Sequence, residues 1–66
     1  MIRVNNKENI EWHSGMTVQD VLDEMGYIYP QITVTVNGRL VQRDDYHVQE
    51  VPDNADINVF HLAHGG

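Results

Sequence analysis

The segment between Thr17 and Gly26 constrains the fold most, because it is amphipathic and has strand-like sequence on both sides. Its apolar residues at positions 18, 21, 22 and 25 recur with helical spacing and form one stripe. Thr17 can cap the first turn, with Asp20 as the second member of a capping box. Gly26 can adopt the left-handed conformation that ends a helix. The segment therefore predicts one short helix whose apolar face needs a second layer to cover it.

Strand-like segments supply that second layer. Apolar side chains two residues apart, which are typical of half-buried strands, occur in Met1–Val4, Glu8–His13, Ile32–Val36 and Ile57–Leu62. Residues 5–7 predict a turn, so the first two strands are expected to pair as an antiparallel hairpin.

Asn37-Gly38 predicts a second hairpin, because both residues accept the positive φ angles of a tight turn. Residues 39–42 should then return as a short strand with Leu40 or Val41 facing inward. Farther along, Val48 and Val51 are expected in another short strand that covers an edge of the sheet.

One main helix packed on one face of a mixed sheet of four to five strands defines a two-layer α+β domain. The first and last strands can lie side by side and parallel, with the helix in the crossover between them. That arrangement is the ubiquitin-like β-grasp fold. We expect residues 1–62 to form this domain and residues 63–66 to form a flexible C-terminal tail.

The tail is notable for its last two residues, Gly65-Gly66. Two residues without Cβ atoms make a thin backbone that can enter a channel too narrow for any side chain. A free α-carboxyl group has a pKa of about 3.3–3.7, so it is ionised and unreactive at neutral pH until another group activates it. One hypothesis is that this carboxylate is the functional group of the protein. The alternative is an ordinary frayed chain end.

Size and charge exclude several functions. A chain of 66 residues has little room for a deep substrate pocket, so an enzyme is not expected. Ten acidic residues against four Lys and Arg residues give a formal charge of −6. This balance disfavours binding to nucleic acid and to anionic membranes. The negative charge either favours partners with basic surfaces or only keeps the protein in solution.

The sequence offers few ligands for a metal or a cofactor. It contains no cysteine, and its four histidines include only one close pair, His61 and His64. Because a zinc site needs three or four ligands, we expect no metal. There is no Gly-rich phosphate loop, so no nucleotide cofactor is expected either. No signal peptide or apolar span is visible, which predicts a cytoplasmic protein.

These motifs, in this order, resemble the ThiS group of bacterial sulfur carriers within the wider ThiS/MoaD family. The likeness spans essentially the whole chain and rests on Gly15, Thr17-Val18, Leu22, the segment 34–38, Val41, Arg43, Tyr46, the last strand and Gly65-Gly66. The sequence departs from the family pattern at Asn54-Ala55, where Gly-Asp is usual, and at His64, where a small or aliphatic residue is common.

The resemblance implies a mechanism. A ThiF-like adenylyltransferase would use ATP and magnesium to adenylate Gly66, and Gly65 would let the backbone thread into its active site. Sulfur from a donor such as a cysteine desulfurase would then convert the adenylate into a thiocarboxylate. A ThiG-like thiazole synthase would receive that sulfur during thiamine biosynthesis. ATP and magnesium would thus be bound by the partner and not by this chain.

Docking to such partners is expected near the tail. Phe60 and Leu62 alternate with Val59 and could point away from the helix, which would make them a partner surface. The alternative is that they belong to the core, and the same choice applies to Tyr27 and Tyr29. A further hypothesis is that His64, beside the tail, adjusts docking with pH.

Three other functions stay open on the sequence alone. The chain could carry sulfur to molybdopterin or another metabolite. It could be a ubiquitin-like modifier whose diglycine is joined to lysine. It could also be a plain binding module, although its acidic charge speaks against RNA.

Overall fold

The computed structural model describes residues 1–27 and 32–61, and these residues form a two-layer domain of one α-helix on a five-stranded sheet. The strands are β1 (Ile2–Val4), β2 (Glu8–Ile10), β3 (Ile32–Val36), β4 (Arg39–Val41) and β5 (Asp56–His61). The helix is α1 (Val18–Met25), and a short 3₁₀ turn covers Arg43–Asp45. The predicted α+β class is therefore confirmed.

Strand β5 lies at the centre of the sheet, whose order is β2-β1-β5-β3-β4. It runs parallel to β1, with Arg3 opposite Asp56 and Val4 opposite Ile57. It runs antiparallel to β3 over its last five residues. The first and last strands are thus parallel neighbours with α1 in the crossover between them, which confirms the predicted β-grasp topology.

Helix α1 begins and ends where the sequence predicted. The Thr17 hydroxyl accepts a hydrogen bond from the Asp20 amide, and an Asp20 carboxylate oxygen accepts one from the Thr17 amide at 3.0 Å. This reciprocal pair is the predicted capping box. At the other end Gly26 has a φ of 73° and its amide donates to the Asp23 carbonyl. Asp20 therefore has a structural role, since it satisfies an amide that the helix leaves free.

The apolar face of α1 packs on one face of the sheet and forms the core. Val18, Val21 and Leu22 are buried there, and Met25 is half-buried beside them. The other buried apolar residues are Ile2, Val4, Met16, Val34, Val36, Val41, Tyr46, Val51, Ala55 and Ile57. The alternating residues of the strands point to the opposite face, which the helix does not cover.

Two strand predictions were wrong. Strand β2 ends at Ile10 and not at His13, because Trp12 turns toward the core and its indole Nε1 donates to the Val51 carbonyl at 2.8 Å. The predicted short strand around Val48 and Val51 does not form either. The amides of Val48 and Gln49 both donate to the Asp45 carbonyl, so this segment is a turn and leaves Val48 72% exposed. Of the two valines, only Val51 packs inward.

Candidate functional site: the open sheet face and the end of strand β5

The candidate site begins at the end of β5, because the predicted working residues follow this strand in the chain. Gly65, Gly66, Leu62 and His64 lie outside the described residues. The structure describes β5 itself, which ends at His61 opposite Ile32 of β3. The last residue of β5 is therefore held at the middle of the sheet, five residues before Gly66.

Phe60 lies on the sheet face that α1 does not cover. Its partner in β3 is Thr33, and its neighbour Val59 packs against the core on the helix side. The Phe60 side chain is 53% exposed. Of the two environments that the sequence left open, the structure shows the exposed one. Exposing about half of an aromatic side chain forgoes about 1 kcal/mol of burial, so its position suits a surface that a partner covers.

Leu40 lies on the same sheet face and is 61% exposed. It pairs with Thr35, which lies on the same side of β3 as Thr33, the partner of Phe60. We call the surface formed by Thr33, Thr35, Leu40, Asn58 and Phe60 the open face. Of the two inward candidates in β4, Val41 is the buried one. Leu40 was missed as a surface candidate because a strand of three residues has too little alternation to show which side is buried.

Asn5 holds β5 at the point where β1 leaves the sheet. Its backbone has a φ of 55°, which turns the chain away from β5. Its amide still donates to the Ile57 carbonyl at 2.8 Å. Its side-chain Oδ1 accepts a hydrogen bond from the Val59 amide, also at 2.8 Å. One residue therefore contacts β5 twice, through its main chain and through its side chain.

The same side chain links β5 to the end of the helix. Asn5 Nδ2 donates to the Tyr27 hydroxyl at 3.3 Å. Tyr27 is half-buried and packs against the core, so the structure supports the core alternative for this residue. Tyr29 lies outside the described residues. The role of Asn5 was not predicted, because the sequence indicates only a turn at this position. Its hydrogen-bond partner, Val59, lies 54 residues away in the chain.

A cluster of acidic residues lies elsewhere, beside α1. A cleft of about 460 Å³ is lined by Glu11, His13, Met16, Asp20, Asp23 and Glu24. Within residues 1–27 and 32–61, no group of three or more His, Cys, Asp or Glu residues is placed to hold a metal ion. The charged side chains of the cleft thus form an acidic surface without the geometry of a metal centre.

Two histidines lie at the surface, and one tyrosine lies in the core. His13 and His47 are exposed, and His13 Nδ1 lies 3.1 Å from the Ser14 carbonyl. Burial raises the pKa of the Tyr46 hydroxyl above its ordinary value, against a smaller lowering by the Arg43 guanidinium. Tyr46 is therefore held in its neutral form, which suits a core residue and not a general base. No helix in the described ranges has the length and apolar character needed to cross a membrane.

The sheet order, the helix in the crossover and the open face define the class as a small ubiquitin-like β-grasp protein. The sequence model of the ThiS family matches residues 2–66, and the chain belongs to this family. Its members are small sulfur carriers of thiamine biosynthesis that work with partner enzymes and are not enzymes themselves. The predicted class, a carrier and not an enzyme, is confirmed at this level.

A solved structure supports the same fold. The chain is similar to the thiamine biosynthesis protein ThiS from Geobacter metallireducens, with a TM-score of 0.79 and 21% sequence identity. The alignment covers 98% of this chain and 97% of that chain. The two chains thus share the β-grasp fold over almost their entire lengths.

Proposed function

We propose that this protein carries sulfur on the C-terminal carboxyl group of Gly66 and delivers it to thiazole formation in thiamine biosynthesis. The observation that carries this proposal is the family match over residues 2–66, which includes both terminal glycines. The name of the Geobacter protein, which places that protein in thiamine biosynthesis, supports the choice of pathway.

The chemistry begins with activation of an unreactive group. The ionised carboxylate of Gly66 attacks the α-phosphorus of ATP and displaces pyrophosphate, which leaves an acyl-adenylate. A persulfide sulfur from a donor such as a cysteine desulfurase then attacks the acyl carbon and displaces AMP. A second thiol then attacks the donor's own sulfur in the resulting acyl disulfide; it forms a disulfide with the donor and releases the thiocarboxylate of Gly66. ATP and magnesium are bound by a ThiF-like adenylyltransferase, and a ThiG-like thiazole synthase accepts the sulfur.

The residues of this chain supply docking and presentation. Phe60 and Leu40 on the open face give the activating enzyme an apolar surface to cover. Leu62 and His64, which lie outside the described residues, are further docking residues in this proposal, and His64 adjusts docking with pH. Gly65 lets the backbone enter the active site of the partner, because it has no side chain to obstruct a narrow channel.

Intact mass spectrometry tests the proposal. The chain is incubated with ATP, a sulfide source and the cognate adenylyltransferase. Exchange of one terminal oxygen for sulfur, localised to Gly66 by fragmentation, is the expected result. A mass that stays unchanged with an enzyme shown to be active on another carrier would contradict the proposal. Conjugates to lysine side chains in cells would instead indicate a ubiquitin-like modifier.

The acceptor requires a second test. The thiocarboxylate form is incubated with the thiazole synthase and its other substrates, and the transfer of labelled sulfur into the thiazole is followed. Labelled sulfur that enters molybdopterin, and not thiazole, would keep the carrier chemistry but overturn the choice of pathway.

A further inference from the structure

We propose that Asn5 is a positioning residue for sulfur loading: its side chain holds β5 in place so that the residues after it enter the partner's active site in one direction. This inference rests on the proposed function, because it concerns how the carboxyl group of Gly66 is presented. It assigns to Asn5 a role beyond that of a turn residue.

The first argument is the position of Asn5 in the ladder between β1 and β5. The Arg3 amide donates to the Ala55 carbonyl at 3.0 Å, and the Asn5 amide donates to the Ile57 carbonyl at 2.8 Å. These bonds are successive rungs of a parallel ladder. The next rung would require an acceptor for the Val59 amide from the main chain of β1. That chain has already turned away, since Asn5 and Asn6 have φ angles of 55° and 57°.

The second argument is that the Asn5 side chain supplies the missing acceptor. Its Oδ1 accepts from the Val59 amide at 2.8 Å. Among the described residues, β1 pairs with β5 at Asp56 and Ile57. The Asn5 side chain adds a hydrogen bond at Val59, which is two residues closer to the tail. Asparagine suits both tasks here, because it tolerates a positive φ and carries an amide oxygen on a short side chain.

The third argument is that Asn5 is itself held from the helix side. Its Nδ2 donates to the Tyr27 hydroxyl, and the Tyr27 amide donates to the Leu22 carbonyl at 3.0 Å. These hydrogen bonds therefore connect the C-terminal end of α1 to β5 through the Asn5 side chain. Small errors of position are costly in a reacting complex, since a misplacement of about 1 Å can cost about 100-fold in rate.

The test compares three variants in the sulfur-loading assay. Asn5→Gly removes the side chain but accepts the positive φ, and we expect kcat to fall about fivefold or more. The KM for the carrier should stay within about twofold, because pairing with Thr33 still holds Phe60 on the open face. Asn5→Asp keeps an acceptor for the Val59 amide, and its second oxygen can accept from the Tyr27 hydroxyl in place of the Nδ2 donation, so it should retain kcat. Asn6→Gly is the matched control, as Asn6 is an exposed residue of the same turn with the same backbone conformation.

Hydrogen exchange at the Val59 amide gives an independent readout of the contact. Its protection should fall in Asn5→Gly and persist in Asn5→Asp and Asn6→Gly. Unchanged kcat in Asn5→Gly, an equal loss in Asn6→Gly, or a loss confined to KM overturns the inference. If Asn5→Gly does not fold, the inference is tested with Asn5→Asp instead. Its kcat must follow the protection of the Val59 amide, and a change in one without the other overturns the inference.

The assay separates this inference from the proposed function on which it rests. A wild-type chain that gains no sulfur overturns both. An active wild type with an equally active Asn5→Gly overturns the role of Asn5 alone.

Discussion

Asn37 and Asp56 are joined by two hydrogen bonds of 2.8 Å. The Asn37 amide donates to the Asp56 carbonyl, and the Asp56 amide donates to Asn37 Oδ1. Asn37 has a φ of 51° because it lies in the tight turn between β3 and β4. The turn residue that the sequence marked as a hairpin signal thus also fastens that hairpin to the first residue of β5.

This pair gives the first prediction. Asn37→Gly keeps the positive φ but loses the side-chain acceptor, so unfolding should cost about 1 kcal/mol less than in the wild type. Asn37→Ala should be less stable by about a further 1–2 kcal/mol, because alanine is strained in the left-handed region. Urea denaturation at equal protein concentration measures both. Asn37→Asp serves as the control, since it retains an acceptor and tolerates the turn, and an order in which Gly is as stable as Asn would contradict the account.

The second prediction concerns docking through the open face. Phe60→Ser should raise the KM for the carrier in the adenylation reaction about tenfold, because the partner can no longer bury the ring. The free energy of unfolding should change little, since the side chain is already 53% exposed. Val48→Ser is the matched control, because Val48 is an apolar residue that is 72% exposed outside the open face. Equal effects of the two substitutions would show that general surface hydrophobicity, and not this face, governs binding.

The third prediction concerns the tail. Gly65→Val should block adenylation and sulfur loading, because a branched side chain obstructs the channel that the backbone must enter. Gly65→Ala should be intermediate. The thermal midpoint of both variants should match the wild type, which shows that the domain is intact. Normal loading of Gly65→Val in the mass spectrometric assay would rule out a narrow channel.

The fourth prediction is a pH dependence of stability at Tyr46. Burial raises the pKa of its hydroxyl in the folded state above the ordinary value of 10.0, although the Arg43 guanidinium opposes this in part. Above about pH 10 the unfolded chain loses this proton while the folded chain keeps it, so stability falls as pH rises through that range. The wild type should therefore lose more stability between about pH 9 and pH 11 than Tyr46→Phe does. Parallel losses in the two proteins, measured by urea denaturation at each pH, would contradict the assignment.

Local signals in the sequence were sufficient for the elements that depend on few residues. The Thr17 cap and the Gly26 stop predicted both ends of α1, and Asn37-Gly38 predicted the turn between β3 and β4. Each is decided by backbone preferences within a few residues. The segment around Val48 was predicted wrongly, because its conformation depends on two amides that share the Asp45 carbonyl. Two valines three residues apart do not distinguish that turn from a strand.

The candidate site could be predicted only in part, because it depends on contacts between distant segments. Val59 and Phe60 are both apolar neighbours in one strand, so alternation could not show which of them faces the helix. Register with β3 and the position of α1 decide it, and they leave Phe60 exposed. The contact of Asn5 with Val59 needs the parallel pairing of β1 and β5, which no local pattern encodes. The roles of Gly65 and Gly66 stay predictions.

The central position of β5 has a consequence for durability. Strands bordered on both sides open last when a protein fluctuates, whereas edge strands open first. The strand that precedes the diglycine in the chain thus belongs to the part of the fold that is most resistant to local unfolding. In the proposed function, partner enzymes can therefore load and unload the C-terminus while the domain stays folded, so one polypeptide can serve repeatedly.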